Sequence, residues 1–129
     1  MKRIDVFTLV PDAFPWFLEQ HPVSTAREAG VVDIQIHNIR DFSALPHHEV
    51  DDTPYGGGPG MVTRVDIVAE ALAQVFGEAA GSVRKSRDVY VLSAGGSPFG
   101  HNLCLELAAC ERDLVLLCGR FEGFDARVE

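Results

Sequence analysis

Four short apolar runs, rich in β-branched and aromatic residues, punctuate this chain, and the stretches between them are long enough to hold helices. The runs are residues 4–10, 31–39, 89–93 and 114–118. The second alternates, with Val32, Ile34 and Ile36 set against Asp33, Gln35 and His37, as in a half-buried strand. The fourth is the most apolar and is closed by Gly119. Between the third and fourth, residues 102–111 repeat Leu103, Leu107 and Cys110 on one helical side. Residues 65–76 place Val65, Val68, Ala69, Leu72, Val75 and Phe76 on another helical face. Residues 13–19 and 24–29 read as short helices, with Ser24 as N-cap and Gly30 as the stop of the second. Residues 81–87 read as a polar turn. Strands that alternate with helices predict an α/β fold: a mostly parallel sheet flanked by helices.

The length of 129 residues fits one domain, spanning 1–129. With 47% apolar residues it can bury an ordinary core, and no apolar run is long enough to span a bilayer. Asp5 and Pro11-Asp12 interrupt the opening apolar run, so it reads as a first buried strand and not as a targeting segment. Trp16, beside Phe14 and Phe17, is expected in the core. Cys104, Cys110 and Cys118 are odd in number and follow no zinc spacing, so they are expected as small buried residues in a reducing cytoplasm. The net charge of −8 argues against a free-standing nucleic-acid binder, though not against a catalytic domain with a partner surface elsewhere.

Three glycine-bearing segments are the candidates for ligand contact. Ser93-Ala94-Gly95-Gly96 and Gly119-Arg120-Phe121-Glu122-Gly123 follow strands, where open α/β sheets bind ligands. Tyr55-Gly56-Gly57-Gly58-Pro59-Gly60-Met61 lies in a long aperiodic stretch. Gly95-Gly96 can equally be a plain turn. No Walker lysine is present and no G-x-G-x-x-G follows the first strand, which disfavours a phosphate cradle or a dinucleotide site. Phe121 can stack on a ring or fill the core, and Glu122 can accept hydrogen bonds from a nucleobase or lie in solvent. His47-His48-Glu49 and Asp51-Asp52 lack metal-ligand spacing, so no metal site is expected.

Two strings carry a family resemblance. Residues 50–61, VDDTPYGGGPGM, and 117–128, LCGRFEGFDARV, resemble the signature segments of the TrmD family, the bacterial tRNA (guanine-N1)-methyltransferases of the SPOUT superfamily. The opening FTLVPDAF (7–14) and IRDF (39–42) match in order as well, so the resemblance covers the whole chain. It implies a trefoil-knot α/β domain, a homodimer, S-adenosylmethionine as methyl donor, and tRNA methylated at N1 of the guanine 3′ of the anticodon. It assigns Leu92, Ser93, Ala94, Gly119, Phe121 and Glu122 to the cofactor, and Gly58, Pro59 and Gly60 to the target guanine. Ala94 stands where the family usually has proline, Phe121 where tyrosine is common, and Ala126 where an acidic residue is common.

The resemblance also implies that the family's pattern continues past Glu129. The rest of the knot, the aspartate that acts as main base and the helical tRNA-binding domain are expected there. The chain is then a truncated N-terminal methyltransferase domain, inactive alone, in which Glu122 supports catalysis. Two other readings stand beside this one. One is a non-catalytic interaction module that retains the fold; the other is a generic nucleotide-binding enzyme. The strand at 114–118 is expected to have an unpaired edge.

Overall fold

A computed structural model describes residues 1–43, 51–52, 62–63 and 65–119. Four parallel strands form its main sheet: β1 (Lys2–Thr8), β2 (Val32–Asn38), β5 (Arg87–Leu92) and β6 (Asp113–Cys118), in the order β2-β1-β6-β5. Two further short strands, β3 (Asp51–Asp52) and β4 (Val62–Thr63), pair antiparallel apart from it. The helices are α1 (Pro15–Glu19), α2 (Val23–Glu28), α3 (Val65–Phe76), α4 (Ala80–Ser86) and α5 (His101–Ala109). Single 3-10 turns, Pro11–Ala13 and Ile39–Phe42, follow β1 and β2. The parallel sheet between helices is the one expected.

Side-chain alternation divides the sheet into two faces. Phe7, Leu9, Val115 and Leu117 share one face, and there they form a single core with Ile67, Val68, Ala71 and Leu72 of α3 and Val83 of α4. Burying each such side chain stabilises the fold by about 1.5–3 kcal/mol. The α3 stripe includes the expected Val68 and Leu72 and adds Ile67 and Ala71, while Ala69 is only half-buried. Parallel crossovers are right-handed. The long step rightward from β2 to β5 thus carries α3 and α4 on one face. The leftward steps from β1 to β2 and from β5 to β6 carry α1, α2 and α5 on the other. None of α1, α2 or α5 contains a buried residue.

Several expectations need correction. Residues 80–86 are the helix α4, not a polar turn. Val83 is fully buried and anchors it. Its last carbonyls are satisfied by Arg112, whose guanidinium donates to the carbonyls of Arg84 (2.9 Å), Lys85 (3.2 Å) and Arg87 (2.9 Å). The same guanidinium pairs with Asp88 at 2.8 Å. Trp16 is 64% exposed rather than in the core, on a helix that contributes no buried residue. The cysteines are not fully buried: Cys104 is exposed, and Cys110 and Cys118 are intermediate. Ser24 does not cap α2, whose first turn starts one residue earlier without a side-chain cap. Gly30 does close that helix, at φ +73°, where a side chain would be strained. Finally, β6 has no free edge. It lies between β1 and β5, with Leu114 opposite both Ile4 and Asp88.

Asp5, which breaks the opening apolar run in the sequence, has no exposed surface. Arg3 grips it with two hydrogen bonds of 2.9 Å, and His37 Nε2 meets Oδ1 at 2.7 Å. The His37 ring also stacks on Phe7, with centroids 4.7 Å apart. Burial pushes the Asp5 carboxyl upward. The hydrogen bonds from His37 and Arg3, together with their charges, outweigh it and hold the group below its ordinary value. The histidine and the aspartate thus satisfy each other inside the sheet, binding β1 to β2.

Candidate functional site

The carboxyl ends of the four strands form one row. Asn38 pairs with Thr8, Thr8 with Cys118, and Cys118 with Leu92. This is the edge at which open parallel sheets bind ligands. Two expected cofactor segments leave the row side by side, Ser93-Ala94 after β5 and Gly119 after β6. Sequence reading placed them near one another only through the family resemblance. The strand register makes their ends neighbours directly.

The turn after β5 is internally bonded. The Gly95 N–H donates to Ser93 Oγ at 3.2 Å, and the Gly96 N–H donates to the Ser93 carbonyl at 3.2 Å. A Cβ at Gly96 would meet that carbonyl oxygen at 3.4 Å, the edge of ordinary van der Waals contact. Because both glycine amides point back into the turn, they are not arranged as an anion cradle.

Leu92, Ser93 and Ala94 are exposed at this rim. Beside them a groove of about 580 Å³ runs along the outer edge of β5, lined among others by Arg87, Asp88, Tyr90, Ser93, Gly95 and Gly96. That size accommodates a nucleoside-sized ligand. Across the row, burial raises the Cys118 thiol above its ordinary value, which keeps it neutral and unsuited to nucleophilic work. Among the described residues no group of His, Cys, Asp and Glu could hold a metal ion. Gly58, Pro59, Gly60, Phe121 and Glu122, as well as His47 and His48, lie outside the described residues.

Two further side chains at the rim were not singled out in the sequence. Thr8, almost fully buried, accepts from the Val10 N–H at 3.0 Å, and Asn38 accepts from the Arg40 N–H at 3.0 Å. A Ser, Thr or Asn at a strand end is the signal that could have found them.

Comparison with known proteins decides the family. The family model described as tRNA (Guanine-1)-methyltransferase TrmD matches residues 1–129. This chain belongs to the TrmD family. Two curated relatives, both called tRNA (guanine-N(1)-)-methyltransferase, illustrate the match. The Thermomicrobium roseum protein is 42% identical over 126 residues, covering 98% of this chain and 45% of that protein. The Deinococcus radiodurans protein is 42% identical over 129 residues, covering 100% of this chain and 44% of that protein. The crystal structure of tRNA (m1G37) methyltransferase from Aquifex aeolicus superposes with a TM-score of 0.78 at 32% identity. It covers 98% of this chain and 55% of that one. The parallel sheet described above thus has the TrmD (SPOUT) fold. The chain spans about half the length of the curated relatives it matches.

Proposed function

We propose that this chain is the N-terminal part of an S-adenosylmethionine-dependent tRNA methyltransferase. The whole protein transfers a methyl group to N1 of the guanine 3′ of the anticodon, in the cytoplasm and as a homodimer. The observation that carries this reading is the adjacency of the Ser93–Gly96 turn and Gly119 at the carboxyl ends of β5 and β6, in a chain of the TrmD family.

The residues divide the work as follows. Leu92, Ser93, Ala94 and Gly119 line one side of the adenosyl site, and Phe121 offers a face for stacking. Glu122 orients the purine by accepting hydrogen bonds. Gly58, Pro59 and Gly60 let the backbone approach the target guanine closely. The bound cofactor supplies an activated methyl on a sulfonium. The protein supplies alignment, which accounts for much of the rate in such transfers, and a base for the N1 proton. The main base is an aspartate of the longer protein, with Glu122 in support; the helical tRNA-binding domain belongs to that longer protein too.

The interaction-module alternative is not favoured, because the relatives matched along the entire chain carry the methyltransferase name. Incubating the full-length protein with labelled S-adenosylmethionine and tRNA bearing guanine 3′ of the anticodon tests the proposal. Methyl label at N1 of that guanine is expected. No incorporation, with an active control enzyme in parallel, would falsify it. Gly119→Val in the same protein blocks backbone approach, so cofactor binding should fall at least a hundredfold in calorimetry. Calorimetry with ATP and NAD in place of S-adenosylmethionine separates the generic nucleotide-binding reading.

A further inference from the structure

Three of the four strand ends in the carboxyl-end row are locked by the same device. In each, a side-chain oxygen accepts a hydrogen bond from the backbone N–H two residues ahead. At β2 it is Asn38 Oδ1 from Arg40 (3.0 Å), at β1 Thr8 Oγ1 from Val10 (3.0 Å), and just past β5 Ser93 Oγ from Gly95 (3.2 Å). Such bonds set the direction in which a chain leaves its strand. The strand β6 ends at Cys118, followed by Gly119. Gly119 lies between two of these locked exits, because β6 runs between β1 and β5.

We propose that Thr8 and Ser93 are positioning residues for the cofactor. They hold the chain exits of β1 and β5 in fixed directions on either side of Gly119, so that the ligand meets a preformed rim. This role rests on the methyltransferase reading. It is distinct from any contact that Ser93 makes with the cofactor, and Thr8 makes none: its side chain is 1% exposed. The acceptor function is what counts. Threonine in place of serine, or serine in place of threonine, preserves it; alanine or valine removes it.

The test uses the full-length protein, with S-adenosylmethionine affinity measured by calorimetry and KM and kcat measured on tRNA. Thr8→Val and Ser93→Ala should each raise the cofactor Kd and KM about five- to tenfold, the effect of one lost hydrogen bond on a preorganised site. For Thr8→Val the kcat at saturating cofactor should stay within about twofold. Thr8→Ser and Ser93→Thr should recover most of the affinity. Ser93→Asp separates holding the turn from touching the ligand, since a carboxylate still accepts from Gly95 but has no hydroxyl proton to donate. Affinity retained in Ser93→Asp supports the inference; loss equal to that of Ser93→Ala overturns it for Ser93. Wild-type affinity in both Thr8→Val and Ser93→Ala, in a protein that methylates tRNA, overturns the inference alone and leaves the activity standing. A wild-type protein that neither binds the cofactor nor methylates tRNA overturns both. Should Thr8→Val fail to fold, Thr8→Ala with its rescue by Thr8→Ser is read in its place, and an unrescued loss counts against the inference.

Discussion

On one face of the sheet, Phe7, Leu9, Val115 and Leu117 close against α3 and α4 into a single apolar core. On the other face, α1, α2 and α5 contribute no buried residue, and Trp16, Phe17 and Leu105 stand exposed. The strands are shared, so the difference comes from the helices. The twelve-residue α3 carries a continuous apolar stripe. The helices opposite are shorter or, like α5, half-bury only Leu103 and Leu107. Stability is thus concentrated on one side, while the other retains apolar surface of the kind that marks interaction sites.

The largest effect is expected on the packed face. Phe7→Ala leaves a cavity between the sheet and α3 and removes the ring on which His37 stacks. Urea unfolding of the full-length protein should show a loss of about 3–5 kcal/mol. A loss below about 1 kcal/mol would break the claim that this face carries the fold.

Next comes the buried carboxylate. Asp5→Asn weakens the bonds to Arg3 and His37 and should cost about 2 kcal/mol near neutrality. The sign with pH follows from the lowered carboxyl. Its contribution is complete above the ordinary carboxylate range, about pH 4, and is lost as pH falls through the lower folded value. In acid unfolding the variant should therefore show a shallower decline below about pH 4 than the wild type. Parallel curves would remove Asp5 as an ionised core group.

A smaller effect belongs to Arg87. It lies 4.1 Å from the Phe76 ring centroid and pairs with Glu78 at 2.8 Å, fastening β5 to the end of α3. Arg87→Ala should lower stability by about 1 kcal/mol, since both contacts are partly open to solvent. The smallest change is expected on the open face. Leu105→Glu should alter unfolding by no more than about 0.5 kcal/mol. A loss above about 2 kcal/mol would break the claim that this face is open.

Much of this arrangement was legible in the residues, for reasons that can be named. The 3.6-residue period of α3 and the apolar runs of β1, β5 and β6 are local signals. The unread parts depend on partners distant in the chain. Residues 80–86 look like a polar turn until Val83 is buried and Arg112 satisfies the final carbonyls. Asp5 looks like an interruption because His37 lies thirty-two positions away. Trp16 looks like core because aromatic neighbours in sequence say nothing of what covers them. At the candidate site, glycines after strands pointed to the segments at Ser93 and Gly119, and the first of these forms an internally bonded turn. Thr8 and Asn38 were missed because a single strand-end hydroxyl or amide is common in any sequence, and only the register sets them in one row.

The place of β6 between β1 and β5 also governs how the protein is made. The ribosome delivers β1, β2 and β5 first, and β1 and β5 have no ladder with each other. The strand that joins them is the last of the four to emerge. Until then the nascent chain holds a β1–β2 pair and a separate β5, each with an open edge. Ile4 must wait for Leu114, 110 residues later, to complete its pairing. Closing so long a loop before the sheet gains its centre slows folding. It makes the interval before residue 118 leaves the exit tunnel the period when this chain most needs protection from other chains.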